Sequence, residues 1–269
     1  MTTHENLPQI AEANATGEIA VIYDEMRRAM RVPTVNLIHR HMAALPGVLA
    51  WAWGLIRAPI LSGGVEAALG RVQGGVALGL DARAVAFDPP TRAALARVLG
   101  AYNRGNGFNL LILGALRVAL DSPGGGAPGL LGTVPTDAPE LLPTLPRAGA
   151  LPDPMRARLD AIARLHGMGG VIPTLYLHLA LWPDALDWTL DAVEPALTAG
   201  TVRIAREALL ARARGEAAHL ARTLAATPPP PGADVAALRA TLDAFTGRLI
   251  PEMLLIGVAL DQALGAQGG

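Results

Sequence analysis

The side chains in this sequence that could do chemistry are few in kind. There is no cysteine, so disulfides, thiolate nucleophiles, iron–sulfur ligation and cysteine-type zinc sites are excluded together. Carboxylates, hydroxyls, amides and six histidines remain. Glu252 follows Pro251 at the head of an apolar run, where a helix dipole favours an acid in the first turn. In an apolar pocket the same carboxyl would have a raised pKa and could serve as a general base. Asn106 follows Gly105, a setting that suits a cap or turn, and its amide could also donate to a substrate or position a water. Thr34 and Thr174 each follow a proline and are expected to cap helices, leaving N–H groups and a hydroxyl for a ligand carboxylate. His39 and His41 are two apart and would point to different faces of a helix, so they are no helical metal pair and no metal site is expected. His41 and His178 read as core or interface histidines, and Trp51, Trp53, Trp182 and Trp188 as core fillers or, alternatively, a ligand wall. No phosphate loop, nucleophile elbow or dinucleotide fingerprint is present.

The elements that must position these groups come in two similar sets. Residues 38–51 laid over 175–188 without gaps match at His41/His178, Ala43/Ala180, Pro46/Pro183, Leu49/Leu186 and Trp51/Trp188. Upstream, Val32-Pro33-Thr34-Val35 matches Ile172-Pro173-Thr174-Leu175, and downstream Tyr102/Phe245, Leu111/Leu254 and Gly114/Gly257 keep the same order. Ordered blocks with small indels indicate a duplication. The expected organisation is a first helical repeat over 1–121, a linker over 122–152 and a second repeat over 153–269. Eleven prolines and glycines from 123 to 146 break helix and central strand alike, so the linker should cross the surface between the units.

Elsewhere period and composition predict helix and give strands almost no support, so the fold class is all-α. Residues 17–31 place Ile19, Ile22, Tyr23, Met26 and Met30 on one face, with Pro33 beyond the end, and 153–165 play that part in the second half. Pro46 and Pro183 suit first-turn positions, where no donor N–H is needed. Further helices are expected at 201–226, 234–250 and 251–264.

The formal net charge of −1 favours neither nucleic acid nor an acidic membrane surface. The polar start lacks a signal-peptide plan, and the apolar stretches 110–116 and 253–260 are short of a membrane span, which points to a cytoplasmic protein.

The blocks Gly17-Glu18…Tyr23, Arg31-Val32-Pro33, Pro46-Gly47…Ala52-Trp53, Asn103-x-Gly105-Asn106, Leu165-His166 and Trp182-Pro183 occur in an order and spacing that resembles the group I 2-haloacid dehalogenases. That family is all-α and hydrolyses both enantiomers of 2-halo acids. The resemblance implies a pseudo-dimer of two helical repeats with the site between them, and no metal or organic cofactor. It also implies a mechanism in which an aspartate activates water, which displaces halide at C2 with inversion and without a covalent ester. Carried over by position, Asn106 matches the active-site Asn, while Thr34 and Leu37 fall where the family lines its pocket with aromatics. The catalytic aspartate falls at Thr174 or Leu175, neither of which is a base, and Tyr176 beside it offers a hydroxyl. Phe245 takes a place where the family pattern has Tyr nearby, and Glu252 one where it carries an acid.

The expected function is therefore a small-molecule hydrolase of the haloacid dehalogenase type, acting on a short carboxylic acid. The rivals are a catalytically silent protein that binds a small carboxylate or apolar ligand on the same fold, and a structural module whose repeats close without a cavity. No nucleic-acid or membrane partner is expected, and a homodimer is left open.

Overall fold

The computed structural model describes residues 7–122, 125–126, 132–167 and 172–266. Among them the protein is helical without a sheet, as the composition requires. An isolated bridge joins Gly126 to Ala225. The linker positions Pro123, Gly124, Pro128 and Gly129 lie outside the described residues.

Helix α1 (Gly17–Met30) buries Ile22, Tyr23, Met26 and Met30, the face its spacing selects. It ends at Arg31, which is left-handed with φ 52° and returns its N–H to the last turn before Pro33. Helix α2 (Leu37–Ala43) is capped by Asn36, whose side chain accepts from the Ile38 N–H; Thr34 is not the cap. Helix α3 (Val48–Leu61) starts two residues after Pro46, because Gly47 takes φ 72° and turns the chain first. Helix α4 (Gly64–Gln73) follows, then α5 (Pro89–Asp121), whose cap Asp88 accepts from the Thr91 N–H at 2.8 Å.

The second half runs α6 (Asp153–His166), α7 (Thr174–Leu179), α8 (Pro183–Thr198), α9 (Thr201–Ala221), α10 (Val235–Ala244) and α11 (Ile250–Ala266). Pro183 does sit in the first turn of its helix. Thr174 opens α7, but the residue in the cap position is Pro173. The expected break between 250 and 251 is absent: a π-helical turn, Phe245–Leu249, joins α10 to α11. Pro251 lacks the N–H that a regular turn needs and its ring crowds the preceding turn, so the widened turn lies where strain would otherwise fall.

Helices α5, α9 and α11 pack together at the centre. Small residues permit it: a Cβ on Gly114 would lie 2.9 Å from the Ala217 Cβ, and one on Gly257 would lie 2.1 Å from Asn103 Oδ1. Residues 250–260 of α11 are all buried, as a helix apolar on every side must be. The stretch Val235–Ala266 is long and apolar enough to cross a membrane, yet 67% of its apolar window is buried inside this fold, the behaviour of a core helix.

Candidate active site

A cavity of about 500 Å³ opens between the C-terminal part of α1, residues 32–40, the middle of α5, residues 141–145 of the linker, residues 172–178, and the π turn with the start of α11. Thr34, Leu37, Asn106, Thr174, Leu175 and Phe245 all line it. Asn106 does so from inside α5, not from a cap or turn: Gly105 and Gly107 flank it within one continuous helix. One turn earlier on the same face, Tyr102 also faces the cavity.

Two expected residues are elsewhere. Glu252 is buried but does not line the cavity. One carboxylate oxygen meets His166 Nδ1, and the other accepts from Arg206 at 2.7 Å. Burial pushes this carboxyl up, and the hydrogen bonds and charges of His166 and Arg206 together outweigh burial and hold it below the ordinary carboxylate value. A depressed carboxyl engaged at both oxygens and set off the cavity is a structural ion-pair centre, which corrects the expectation of a base at Glu252. Tyr176 is likewise off the cavity: its hydroxyl lies 2.9 Å from His166 Nε2, and burial raises its pKa well above that of a free phenol.

The carboxylate that does reach the cavity is Glu12, in a polar segment whose spacing carries no signal. Three contacts place that segment. Tyr23 donates to the Ile10 carbonyl at 2.9 Å, the Ile10 N–H donates to the Arg40 carbonyl at 3.0 Å, and His41 Nδ1 lies 2.7 Å from the Pro8 carbonyl. Glu12 then accepts from Arg27 at 2.7 Å and from the Val35 N–H at 3.0 Å, so both oxygens are engaged. Arg40 also lines the cavity, and it has no ion pair among the described residues; its Nε is buried without a partner.

Two histidines border the cavity, each in a defined tautomer. Asn109 donates through Nδ2 to the Gly105 carbonyl, so its oxygen accepts from His39 Nε2 at 2.7 Å and His39 Nδ1 keeps a lone pair with no partner. Burial pushes the His39 pKa down to about 4 against the opposing pull of Asn109, so the ring is neutral at pH 7. His178 Nε2 is 2.7 Å from the Pro143 carbonyl and must donate to it, which leaves Nδ1 to accept from the Tyr102 hydroxyl at 2.8 Å. Burial raises the Tyr102 phenol to about 12, with a hydrogen bond from Thr174 acting in the opposite direction. Tyr102 was accessible from sequence through its position four residues before Asn106; the pairing of Pro143 with His178 was not.

The site is thus a mostly apolar cavity in an all-α fold, with an amide, a hydrogen-bonded phenol and an arginine without an ion pair among the described residues on its wall. The comparisons give the particular relationship. No protein-family profile matches the chain. A configuration-inverting 2-haloacid dehalogenase of Alcaligenes xylosoxydans xylosoxydans is 28% identical over 209 residues, covering 72% of this chain and 70% of that protein. A D-2-haloacid dehalogenase mutant shares the fold with a TM-score of 0.78 at 18% identity, with 96% of each chain covered. A complex of D-2-haloacid dehalogenase with L-LA gives a TM-score of 0.73 at 18% identity, covering 97% of this chain and 96% of that one. The chain is similar in sequence to a configuration-inverting 2-haloacid dehalogenase and has the fold of the D-2-haloacid dehalogenase structures.

Proposed function

We propose that this protein is a hydrolase of the 2-haloacid dehalogenase type, with the cavity as its active site. The observation that carries the reading is convergence: six residues from separate parts of the chain, Thr34, Leu37, Asn106, Thr174, Leu175 and Phe245, line a single cavity. Arg40 supplies the charge for a short carboxylate: it has no carboxylate partner among the described residues and its Nε is buried without a hydrogen bond, so that ligand is the natural one to fill the role. Leu37, Leu175 and Phe245 provide the dry wall a departing halide needs. Asn106 holds the attacking water, which displaces halide at C2 with inversion.

The same reading takes the two halves as diverged copies of one unit. Its support is the order of helix lengths, 14, 7, 14, 10 and 33 residues in α1 to α5 against 14, 6, 16 and 21 in α6 to α9, then α10 and α11 as one joined stretch. The protein is read as cytoplasmic and free of metal and organic cofactors.

Incubation with D- and with L-2-chloropropionate, followed by chloride release and chiral analysis of the lactate formed, tests the proposal. Chloride release with inverted lactate is the expected result; binding of either acid without chloride release sinks the hydrolase reading. One observation favours that second outcome, a binding protein. The aspartate's place falls to Thr174 or Leu175, neither of which is a base, and the Glu12 oxygens on the cavity are already taken by Arg27 and Val35.

A further inference from the structure

The hydrolytic reading leaves a vacancy, since the reaction needs a proton acceptor beside the attacking water and no free carboxylate lines the cavity among the described residues. We propose that the Tyr102–His178 pair fills it: Tyr102 is the group that touches the water, and His178 is the positioning residue that receives the proton through it. This inference rests on the hydrolase reading.

Four observations carry it. Tyr102 and His178 both line the cavity, and Tyr102 shares a helix face with Asn106. The Pro143 carbonyl can only accept, so it holds the His178 proton on Nε2 and leaves Nδ1 as the base nitrogen, 2.8 Å from the Tyr102 oxygen. Thr174 and Leu175, the two positions where the family's aspartate could fall, line the same cavity as the pair. His178 is 6% exposed and its ring is held on both nitrogens, so little reorganisation is needed when the proton moves. The other titratable or charged groups on the cavity are Glu12, Arg27, His39 and Arg40. His39 is the rival base, but its free nitrogen has no hydroxyl or water-bearing group to act through among the described residues.

The step balances. Water oxygen bonds to C2 as the C2–halogen bond breaks and halide leaves with the bonding pair. The water proton passes to the Tyr102 oxygen while the Tyr102 proton passes to His178 Nδ1. The products are the 2-hydroxy acid, halide and an imidazolium that returns its proton to solvent.

The test measures chloride release from 2-chloropropionate by the native chain, Tyr102→Phe and His178→Gln over pH, with ligand affinity and thermal unfolding on the same samples. Tyr102→Phe is expected to lower kcat about 10²–10⁴-fold, the usual contribution of general base catalysis, with KM little changed. His178→Gln should lower kcat and abolish the fall in native activity at acid pH. Native-like kcat in Tyr102→Phe, or an acid limb retained in both variants, overturns the relay while the hydrolase reading stands. A native chain that binds the acid but releases no chloride overturns both. Should His178→Gln not fold, Tyr102→Phe together with the native pH profile decides the matter alone.

Discussion

Glu12 in the first half and Glu252 in the second each hold an arginine and a second donor, yet they do different work. The Glu252 side chain is 4% exposed and lies off the cavity, whereas that of Glu12 is 23% exposed and faces it. Their partners explain the difference. Glu252 closes a buried chain through His166 to Tyr176, so it ties α6, α7, α9 and α11 together. Glu12 is carried by a segment held mainly by backbone carbonyls, and it joins that segment to Arg27 of α1 and to Val35 ahead of α2. An acid at the head of an apolar helix looks chemical in a sequence, but apolar surroundings make it a structural tie. The acid that reaches the cavity sits where the chain is polar and irregular. His41 and His178 repeat the lesson: each lies 2.7 Å from a proline carbonyl, but of the two rings His178 is the one on the cavity wall.

The largest effect that would sharpen this comparison is the loss of Glu252. Glu252→Gln leaves Arg206 and the His166–Tyr176 pair without their anion, and removing one partner of a buried pair costs about 3–5 kcal/mol. Urea unfolding at pH 7 measures it; a loss under about 1 kcal/mol would break the assignment of Glu252 as a structural tie. The pH dependence follows from the same carboxyl. Its folded pKa is below its unfolded value of 4.5, so its stabilisation is fully present above 4.5 and is lost as pH falls through the folded pKa. Unfolding free energies between pH 6 and pH 3 should therefore fall more steeply for the native chain than for Glu252→Gln.

A smaller loss is expected at the packed centre. Gly257→Ala would bring a Cβ to 2.1 Å from Asn103 Oδ1, and overpacking of this kind costs about 1–3 kcal/mol, read as a lowered melting temperature. The smallest is Glu12→Gln. Its ion pair with Arg27 is partly solvated on both sides, so stability should fall by at most about 1 kcal/mol, while the affinity for 2-chloropropionate changes because Arg27 on the cavity loses its nearer carboxylate and keeps only Asp24, at 3.6 Å. An unchanged affinity would remove Glu12 from the site.

Much of the architecture was legible in the residues. The face of α1 and the first-turn place of Pro183 follow from spacing and from chain breakers, which act locally. The errors are local signals overruled by neighbours. Gly47 turned the chain after Pro46 and delayed α3; the π turn carried α10 through to α11; and Gly105 and Asn106, which look like a helix end, lie within α5.

The sequence by itself determined the helical class, the order of the elements and the likeness that put Thr34, Leu37, Asn106, Thr174, Leu175 and Phe245 in one set, because helix period, breakers and motif order are properties of the chain. Tertiary structure alone decided what stands beside that set. It brought Glu12 and Pro143 to the cavity across long stretches of chain and took Glu252 away from it. It also set the His178 tautomer, since that depends on which carbonyl a distant loop presents to the ring.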